Sequence, residues 1–238
     1  MKPLGPDDRV FVLTGAGVSA ESGLPTFRGA GGIWRGYPAQ QVATPEAFSA
    51  DPLLVWQFYS ERRRKHQGVR PNLAHVALAE LEHSLGERFF LCTQNVDSLH
   101  EQAGSKRLIH MHGRLMMTRC SRPACDLAPF EDLDTYETAL PKCPRCGGCL
   151  RPHVCWFGEV PYEMERIFAE LAGANLLITV GSSGVVEPAA SFVRLARRHG
   201  ARTVYVGPES PMNDGYFDDV LLGKAGEVLP ELVQKLFG

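Results

Sequence analysis

Val10-Phe11-Val12-Leu13-Thr14-Gly15-Ala16-Gly17-Val18-Ser19-Ala20-Glu21-Ser22-Gly23-Leu24-Pro25-Thr26-Phe27-Arg28-Gly29-Ala30-Gly31-Gly32-Ile33-Trp34 is the stretch whose reading decides the fold. Its first four residues are apolar and uncharged, the pattern of a strand buried on both faces. The run empties into Gly-Ala-Gly and small residues suited to a helix start. Such a turn binds phosphate, because glycine permits a tight bend and close backbone approach while the N–H groups of the opening helix face the anion. A lone G-x-G-x-x-A match is weak, and the residues after it depart from an ordinary dinucleotide fold. There, a full helix leads to a second strand ending in an acidic residue roughly 20 positions on. Here Pro25 cuts the helix short. Phe27-Arg28 and the glycine-rich run to Trp34 predict a flap closing over a ligand with an aromatic ring and a cation, or else a surface loop anchored by Trp34.

At 238 residues the chain can hold one large domain, or one plus a small module. A formal net charge of -2 exerts no overall pull on polyanions, so nucleic acid would need a local patch. Met1 to Pro6 runs almost directly into the first strand, and the apolar runs are far short of a membrane span. No targeting segment, no membrane association and a cytoplasmic location are the expectations. Seven cysteines in such a chain point to metal or free thiols rather than disulfides.

Downstream, Thr44-Pro45-Glu46 and Asp51-Pro52 each read as an N-cap followed by proline at the first helical position. Leu54, Val55 and Phe58 give the second of these helices a buried face. Tyr59 and Arg62, three apart, project from one side. On these residues alone, Tyr59 also fits a half-buried core aromatic, and Arg62-Arg63-Arg64-Lys65 a solvated face. A further helix opens at Pro71-Asn72 and closes at Gly86. Phe89 to Thr93 is a second buried strand, and the Gln94-Asn95-Val96-Asp97 segment after it stands where open α/β sheets bind ligands, with helix capping the alternative for Asp97. Leu108 to Gly113 reads as a short strand with His110 and His112 on one face. Either is a possible general base, since an unperturbed imidazole titrates near 6.5, and either fits a satisfied core histidine.

Cys120-x4-Cys125, seventeen residues, and Cys143-Pro144-Arg145-Cys146 then fit a tetrahedral zinc site of four cysteines. Four thiolates leave no open position, so the metal would be structural. Cys149 offers an alternative pair with Cys146, whereas Cys92 and Cys155 read as buried bystanders. Arg151 to Pro161 reads as an extended segment, either a free edge for a peptide or a buried strand. A βα series resumes beyond it: helix to Ala172, strand Leu176 to Val180, the turn Gly181-Ser182-Ser183-Gly184, helix from near Pro188, strand Thr203 to Val206, and a closing helix from Glu227. The expected fold is α/β, a Rossmann-like doubly wound parallel sheet with a smaller inserted domain.

With these residues in hand the chain resembles the sirtuins, NAD-dependent protein lysine deacylases, over nearly its whole length. The resemblance is carried by Gly15 to Ser19 through Pro25-Thr26-Phe27-Arg28, Thr93 to Asp97, His112-Gly113, the four cysteines, Phe157-Gly158-Glu159 and Gly181-Ser182-Ser183. It implies an NAD co-substrate and one structural zinc ion held by Cys120, Cys125, Cys143 and Cys146. Gly15, Ala16, Gly17 and Ser19 would meet the pyrophosphate, and Phe27 and Arg28 the nicotinamide ribose. Gln94, Asn95 and Asp97 would line the ribose and nicotinamide pocket, with Ala20, Trp34, Gly181, Ser182, Ser183, Gly207 and Ala225 as further cofactor contacts. His112 would be the general base. Val154, Trp156, Phe157, Gly158, Glu159 and Val160 would pair with the backbone of an acylated-lysine protein or peptide. The products would be nicotinamide, free lysine and 2′-O-acyl-ADP-ribose.

Tyr59-Ser60-Glu61-Arg62 resembles the Tyr-x-x-Arg signature of sirtuins that accept dicarboxylic acyl groups, such as succinyl-lysine; a guanidinium and a phenol on one helix face suit a terminal carboxylate. Two positions depart from the family pattern. Gly207 replaces the usual asparagine after the fifth strand, and Cys120-x4-Cys125 is looser than the common spacing. Residues 1–34, 76–112 and 158–238 are expected to form the NAD-binding domain, with the helical segment 35–75 and the zinc module 113–157 forming the small one. The alternatives are mono-ADP-ribosyl transfer from the same NAD pocket and an NAD-binding zinc scaffold, which could also hold nucleic acid through Arg62 to Lys65. His112 argues for catalysis, and the small acidic net charge argues against nucleic acid.

Overall fold

The computed structural model describes residues 2–26, 33–34, 37–38 and 41–237. Phe27 and Arg28 lie outside the described residues, and Trp34 is described only as backbone. In chain order the first elements are β1 (Val10–Thr14), the short pair β2 (Ile33–Trp34) and β3 (Tyr37–Pro38), α1 (Pro45–Ala50), α2 (Pro52–His66) and α3 (Leu73–Leu85). Next come β4 (Phe89–Thr93), α4 (Leu99–Ala103), β5 (Leu108–His110), β6 (Gly113–Cys120), β7 (Phe130–Glu131) and β8 (Leu150–Val154). The chain ends with α5 (Met164–Ala172), β9 (Leu176–Val180), α6 (Phe192–Arg198), β10 (Arg202–Gly207), β11 (Asp219–Leu222) and α7 (Ala225–Phe237). Two compact units result. One comprises Met1–Thr26, Arg70–Met111 and Glu163–Gly238, the other Phe27–Val69 and His112–Tyr162.

The first unit is built on a six-stranded sheet in the order β11-β10-β9-β1-β4-β5, with every neighbouring pair parallel. Successive residues of β1 point to opposite faces, and both faces are covered. Val10 and Val12 pack with Leu78 and Leu81 of α3 and Leu229 and Leu232 of α7. Phe11 and Leu13 pack with Ile167 and Leu171 of α5 and Phe192 and Val193 of α6. This two-sided burial is why the strand reads as an unbroken apolar run rather than an alternation. Edge strand β11 is not legible in the sequence, because half-exposed Asp219–Leu222 carries too short a pattern.

The predicted caps are in place. Thr44 accepts the N–H of Ala47 at 3.0 Å, Asp51 that of Leu54 at 2.9 Å, and Asn72 that of Ala74 at 2.9 Å. Three local expectations change. After Gly15 the chain forms a 3-10 helix, Ala16–Ser22, that ends at Gly23 before Pro25 is reached; its glycine, valine and serines are weak α-helix formers. The helix expected near Pro188 begins as a 3-10 turn, Ala189–Ser191, and α7 starts two residues before Glu227. The strand expected over 108–113 stops at His110, so strand alternation does not pair His110 with His112.

In the second unit β6 lies between β7 and β8, antiparallel to both. Helix α2 docks on this sheet by two polar anchors within an apolar surround. Trp56 donates its indole N–H to Leu150 O at 2.9 Å. Arg63, expected on a solvated face, is instead fully buried: it donates to Leu115 O at 3.0 Å, Asp134 O at 2.6 Å and Thr118 Oγ1 at 2.9 Å, and lies 3.2 Å from Asp132. Asp132 also accepts from Thr118 and Tyr136. Arg64 and Lys65 remain at the surface, paired with Glu137 and Glu61.

A buried guanidinium cannot be removed without leaving its carboxylate and carbonyl partners dry and unmatched. Arg63→Met is therefore expected to lower stability by about 3–5 kcal/mol, and Arg64→Met by less than about 1 kcal/mol. Urea unfolding followed by tryptophan fluorescence makes the comparison; similar small losses in both variants would contradict it.

Candidate functional site

The carboxyl ends of β1, β4 and β9 converge in the first unit, and glycine makes the convergence possible. A Cβ on Gly17 would lie 2.6 Å from Gly181 Cα, and one on Gly15 2.8 Å from Gly181 O. Gly181 itself has φ 61°, and a Cβ there would meet Val18 N at 2.5 Å. The two turns thus touch backbone to backbone. Gly15 N–H donates to Val180 O and Gly17 N–H to Gly181 O, both at 2.9 Å. These two amides are therefore committed within the protein. The glycines' remaining service to an anion is closeness of approach.

Polar side chains from the end of β4 tie into the same turns. Gln94 donates to Ser182 Oγ at 2.9 Å. Asn95, buried, donates to Gly15 O at 3.2 Å and Ser19 Oγ at 3.1 Å. Ser19 Oγ donates to Asp97 Oδ2 at 3.1 Å, and the other Asp97 oxygen accepts the N–H of Leu99 at the start of α4, at 3.1 Å. One Asp97 oxygen thus takes the capping role expected as its alternative, while the other is held by Ser19. Ser183 holds the chain beyond β10 by accepting the N–H of Met212 at 3.0 Å. Ala16 is half-buried and Ala20 exposed. The methyl of Ala225 lies in the apolar core, so any ligand contact there is through backbone. A Cβ at Gly207 would meet the Tyr205 hydroxyl, so the asparagine of the family pattern would require that side chain to shift.

Behind this polar front stand two histidines that the sequence pattern does not single out. His75 Nε2 lies 3.4 Å from Ser19 Oγ, and its ring is 4.8 Å from that of His100, whose Nε2 meets Thr14 Oγ1 at 3.0 Å. Burial lowers both pKa values, His75 to about 4, so both rings are neutral at pH 7. The capping-box position of His75, three after Asn72, was the available signal. His110 is a satisfied core residue, with Asn95 O at 3.0 Å and Glu101 Oε1 at 2.8 Å.

The later segment of the second unit begins with His112, half-buried, whose carbonyl accepts the N–H of Cys155 at 2.9 Å. Residues 154–160 do not continue as the extended edge expected. After buried Val154 the chain turns: Glu159 N–H donates to Trp156 O at 3.0 Å, and Phe157 N–H to Ala43 O at 3.0 Å. The turn closes because the Glu159 carboxylate takes the Trp156 N–H at 2.8 Å and both terminal nitrogens of Arg151 at 2.6 and 2.9 Å. Phe157, Gly158 and Val160 are exposed, while Trp156 is buried. On α2, Tyr59 is fully buried and Arg62 half-buried, with the Arg62 guanidinium carbon 5.7 Å from the ring centres of both Phe58 and Tyr59.

The sulfurs of Cys120, Cys125, Cys143 and Cys146 all lie within 4.8 Å of one another, with Cys120–Cys146 at 3.6 Å and Cys125–Cys143 at 3.7 Å. A regular ZnS₄ tetrahedron with 2.3 Å bonds has edges of about 3.8 Å, so the set fits zinc. The long first spacing is absorbed by a turn in which Cys125 N–H donates to Arg122 O at 3.1 Å. Cys149 is outside the cluster and directs its thiol to Leu150 O at 3.3 Å.

Fold and residues together define a nucleotide-binding parallel α/β protein that carries a four-cysteine module. The Sir2 family profile matches residues 15–188, and the chain belongs to the Sir2 family. It is 49% identical over 234 residues to the NAD-dependent protein deacylase of Caulobacter vibrioides, covering 96% of each chain. Identity to the NAD-dependent protein deacylase of Escherichia coli K12 is 48% over 235 residues, covering 96% of this chain and 82% of that one. Among solved structures, a Sir2 homologue in complex with NAD superposes with a TM-score of 0.87 at 41% identity, over 99% of this chain and 96% of the other. Among the described residues no helix is long and apolar enough to cross a membrane.

The cysteine geometry makes a direct prediction. Cys143→Ala should purify with less than stoichiometric zinc and reduced solubility, and Cys149→Ala with a full complement. Metal analysis by inductively coupled plasma spectrometry checks both; full zinc in the first and loss in the second would transfer the fourth ligand to Cys149.

Proposed function

We propose that this chain is an NAD-dependent protein lysine deacylase that removes acetyl and succinyl groups. The observation that carries the reading is near-half identity, along 96% of both chains, to a relative named NAD-dependent protein deacylase; the acyl groups are read from Tyr59 and Arg62. When bound, NAD supplies a ribosyl carbon activated by its nicotinamide leaving group, and its ADP-ribose carries the acyl group away. Gly15 and Gly17 let a pyrophosphate approach the backbone, while Ala16, Ser19 and Ala20 line the same turn. Asn95, Asp97 and Gln94, anchored to the glycine turns, orient the sugar and nicotinamide, with Ser182 and Ser183 toward the adenosine side. Phe27, Arg28 and Trp34 complete this set as proposals from the resemblance. His112 acts as the general base, taking a proton from a ribose hydroxyl at its imidazole. Phe157, Gly158 and Val160 offer exposed positions to an acylated peptide. A zinc ion on the four cysteines is structural and takes no part in the chemistry. A cytoplasmic location is part of the same proposal.

The acyl preference comes from α2. Arg62 supplies a charge to the terminal carboxylate of a succinyl group. The Tyr59 oxygen already accepts from Trp156 Nε1 at 3.0 Å, so the phenol meets a carboxylate as a donor. Burial raises the Tyr59 pKa, which keeps that proton in place.

His112→Ala is expected to lower kcat for both acyl peptides by about 10²- to 10⁴-fold, the usual weight of general-base catalysis. NAD binding by calorimetry should survive in the same variant. If His110→Ala were the inactive variant with His112→Ala active, the base would be misassigned. Arg62→Met should cut desuccinylation by roughly one to two decades, the worth of a charge-assisted hydrogen bond. Deacetylation by the same variant should be unchanged or improved. The measurement is kcat/KM on acetyl and succinyl peptides at saturating NAD; a parallel fall for both would remove Arg62 from acyl selection.

A further inference from the structure

Trp156 belongs to the segment expected to pair with a peptide, yet its side chain faces inward. Only 3% of it is exposed, and the guanidinium carbon of Arg151 lies 3.4 Å from its ring centre. Arg151 is gripped by Glu159 through two hydrogen bonds, and it also donates to Val154 O at 2.9 Å. The cross-strand partner of Arg151 is Arg119, a like charge that only a shared anion makes tolerable. Glu159 supplies that anion, with Arg119 at 3.5 Å. The result is a continuous series of contacts from Arg119 through Glu159 and Arg151 to the indole, and from the indole N–H to the Tyr59 oxygen at 3.0 Å.

The end of that series is specific. A phenol oxygen that accepts from the indole must aim its own hydrogen elsewhere, so the tilt of Trp156 decides where the Tyr59 proton is offered. A core that needed only apolar filling at position 156 would not need the N–H. We infer that Arg151 and Glu159 are positioning residues for acyl selection: they clamp Trp156, and Trp156 orients the Tyr59 phenol toward a carboxylate beside Arg62. The inference rests on the proposed selection of acyl groups by Tyr59 and Arg62. It assigns the side chains of Trp156 and Glu159 to positioning in place of peptide contact.

The test is a double-mutant cycle on the ratio of succinyl to acetyl kcat/KM. Trp156→Phe keeps a six-membered ring under Arg151 and deletes the N–H along with the rest of the five-membered ring; it should lower the ratio about fivefold, the net weight of one hydrogen bond. In the Tyr59→Phe background the same change should have no further effect, because the group it orients is gone. Arg151→Lys retains a charge for Glu159 but loses the planar stack and fork, and should lower the ratio as well. Zinc content and thermal melting verify folding of each variant. An unchanged ratio in Trp156→Phe, or a fall that is additive with Tyr59→Phe, overturns the inference while leaving acyl selection by Tyr59 and Arg62 intact. An unchanged ratio in Tyr59→Phe alone overturns the phenol's role in acyl selection and the inference with it.

Discussion

The contact on which the first unit depends is made without side chains. Gly15 and Gly17 at the end of β1 lie against Gly181 at the end of β9, close enough that a single Cβ on any of them would collide with backbone. Because the turns touch, their amides and carbonyls bond across the gap, and the carbonyl of Gly15 accepts from both Val18 N–H and Asn95. The end of β4 is thereby tied to β1 and β9 together, since Gln94 reaches Ser182 while its own N–H donates to Thr14 O at 2.9 Å. A phosphate-binding turn is usually explained by its free amides. Here the committed amides show that the glycines first serve strand-end packing, and closeness to a ligand results from the same absence of side chains.

The second unit is held by the opposite device. One apolar cluster among its described residues is centred on buried Trp56, Cys143 and Leu150, with Cys120, Cys125 and Cys146 packed against it. Folding there relies on specific polar matches: the Arg63 to Asp132 pair within a shell of carbonyls, the Arg151 to Glu159 fork, and four sulfurs gathered to tetrahedral spacing. Metal binding at such a sulfur set supplies folding free energy. The same polar matches bear on the proposed function, because the fork that closes the turn after β8 holds the indole that meets Tyr59.

Histidine shows how context sorts one residue type into different tasks. His75 and His100 lie buried beside hydroxyl groups and are neutral, His110 is locked between a carbonyl and Glu101, and His112 comes after the end of the first sheet with its carbonyl bonded to Cys155. Periodicity places His110 and His112 on one strand face. The strand instead stops at His110, and Gly113, with φ 81°, starts a new strand in the other unit.

The order β, glycine turn, helix, the caps at Thr44, Asp51 and Asn72, the parallel architecture and the presence of a cysteine cluster were all determined by the sequence. Each depends on neighbours close along the chain or on a residue type with one dominant chemistry. The burial of Arg63, the turn at Trp156–Glu159 and the exclusion of Cys149 from the sulfur cluster were decided only by the tertiary structure. An arginine in a basic run looks solvated until carbonyls from β6 and a carboxylate some seventy residues away close round it. A Trp-Phe-Gly-Glu run looks extended until Arg151 draws the glutamate back on its own backbone. Charge and aromatic area state what a residue can bond to; which partner arrives is settled by the packing of distant strands.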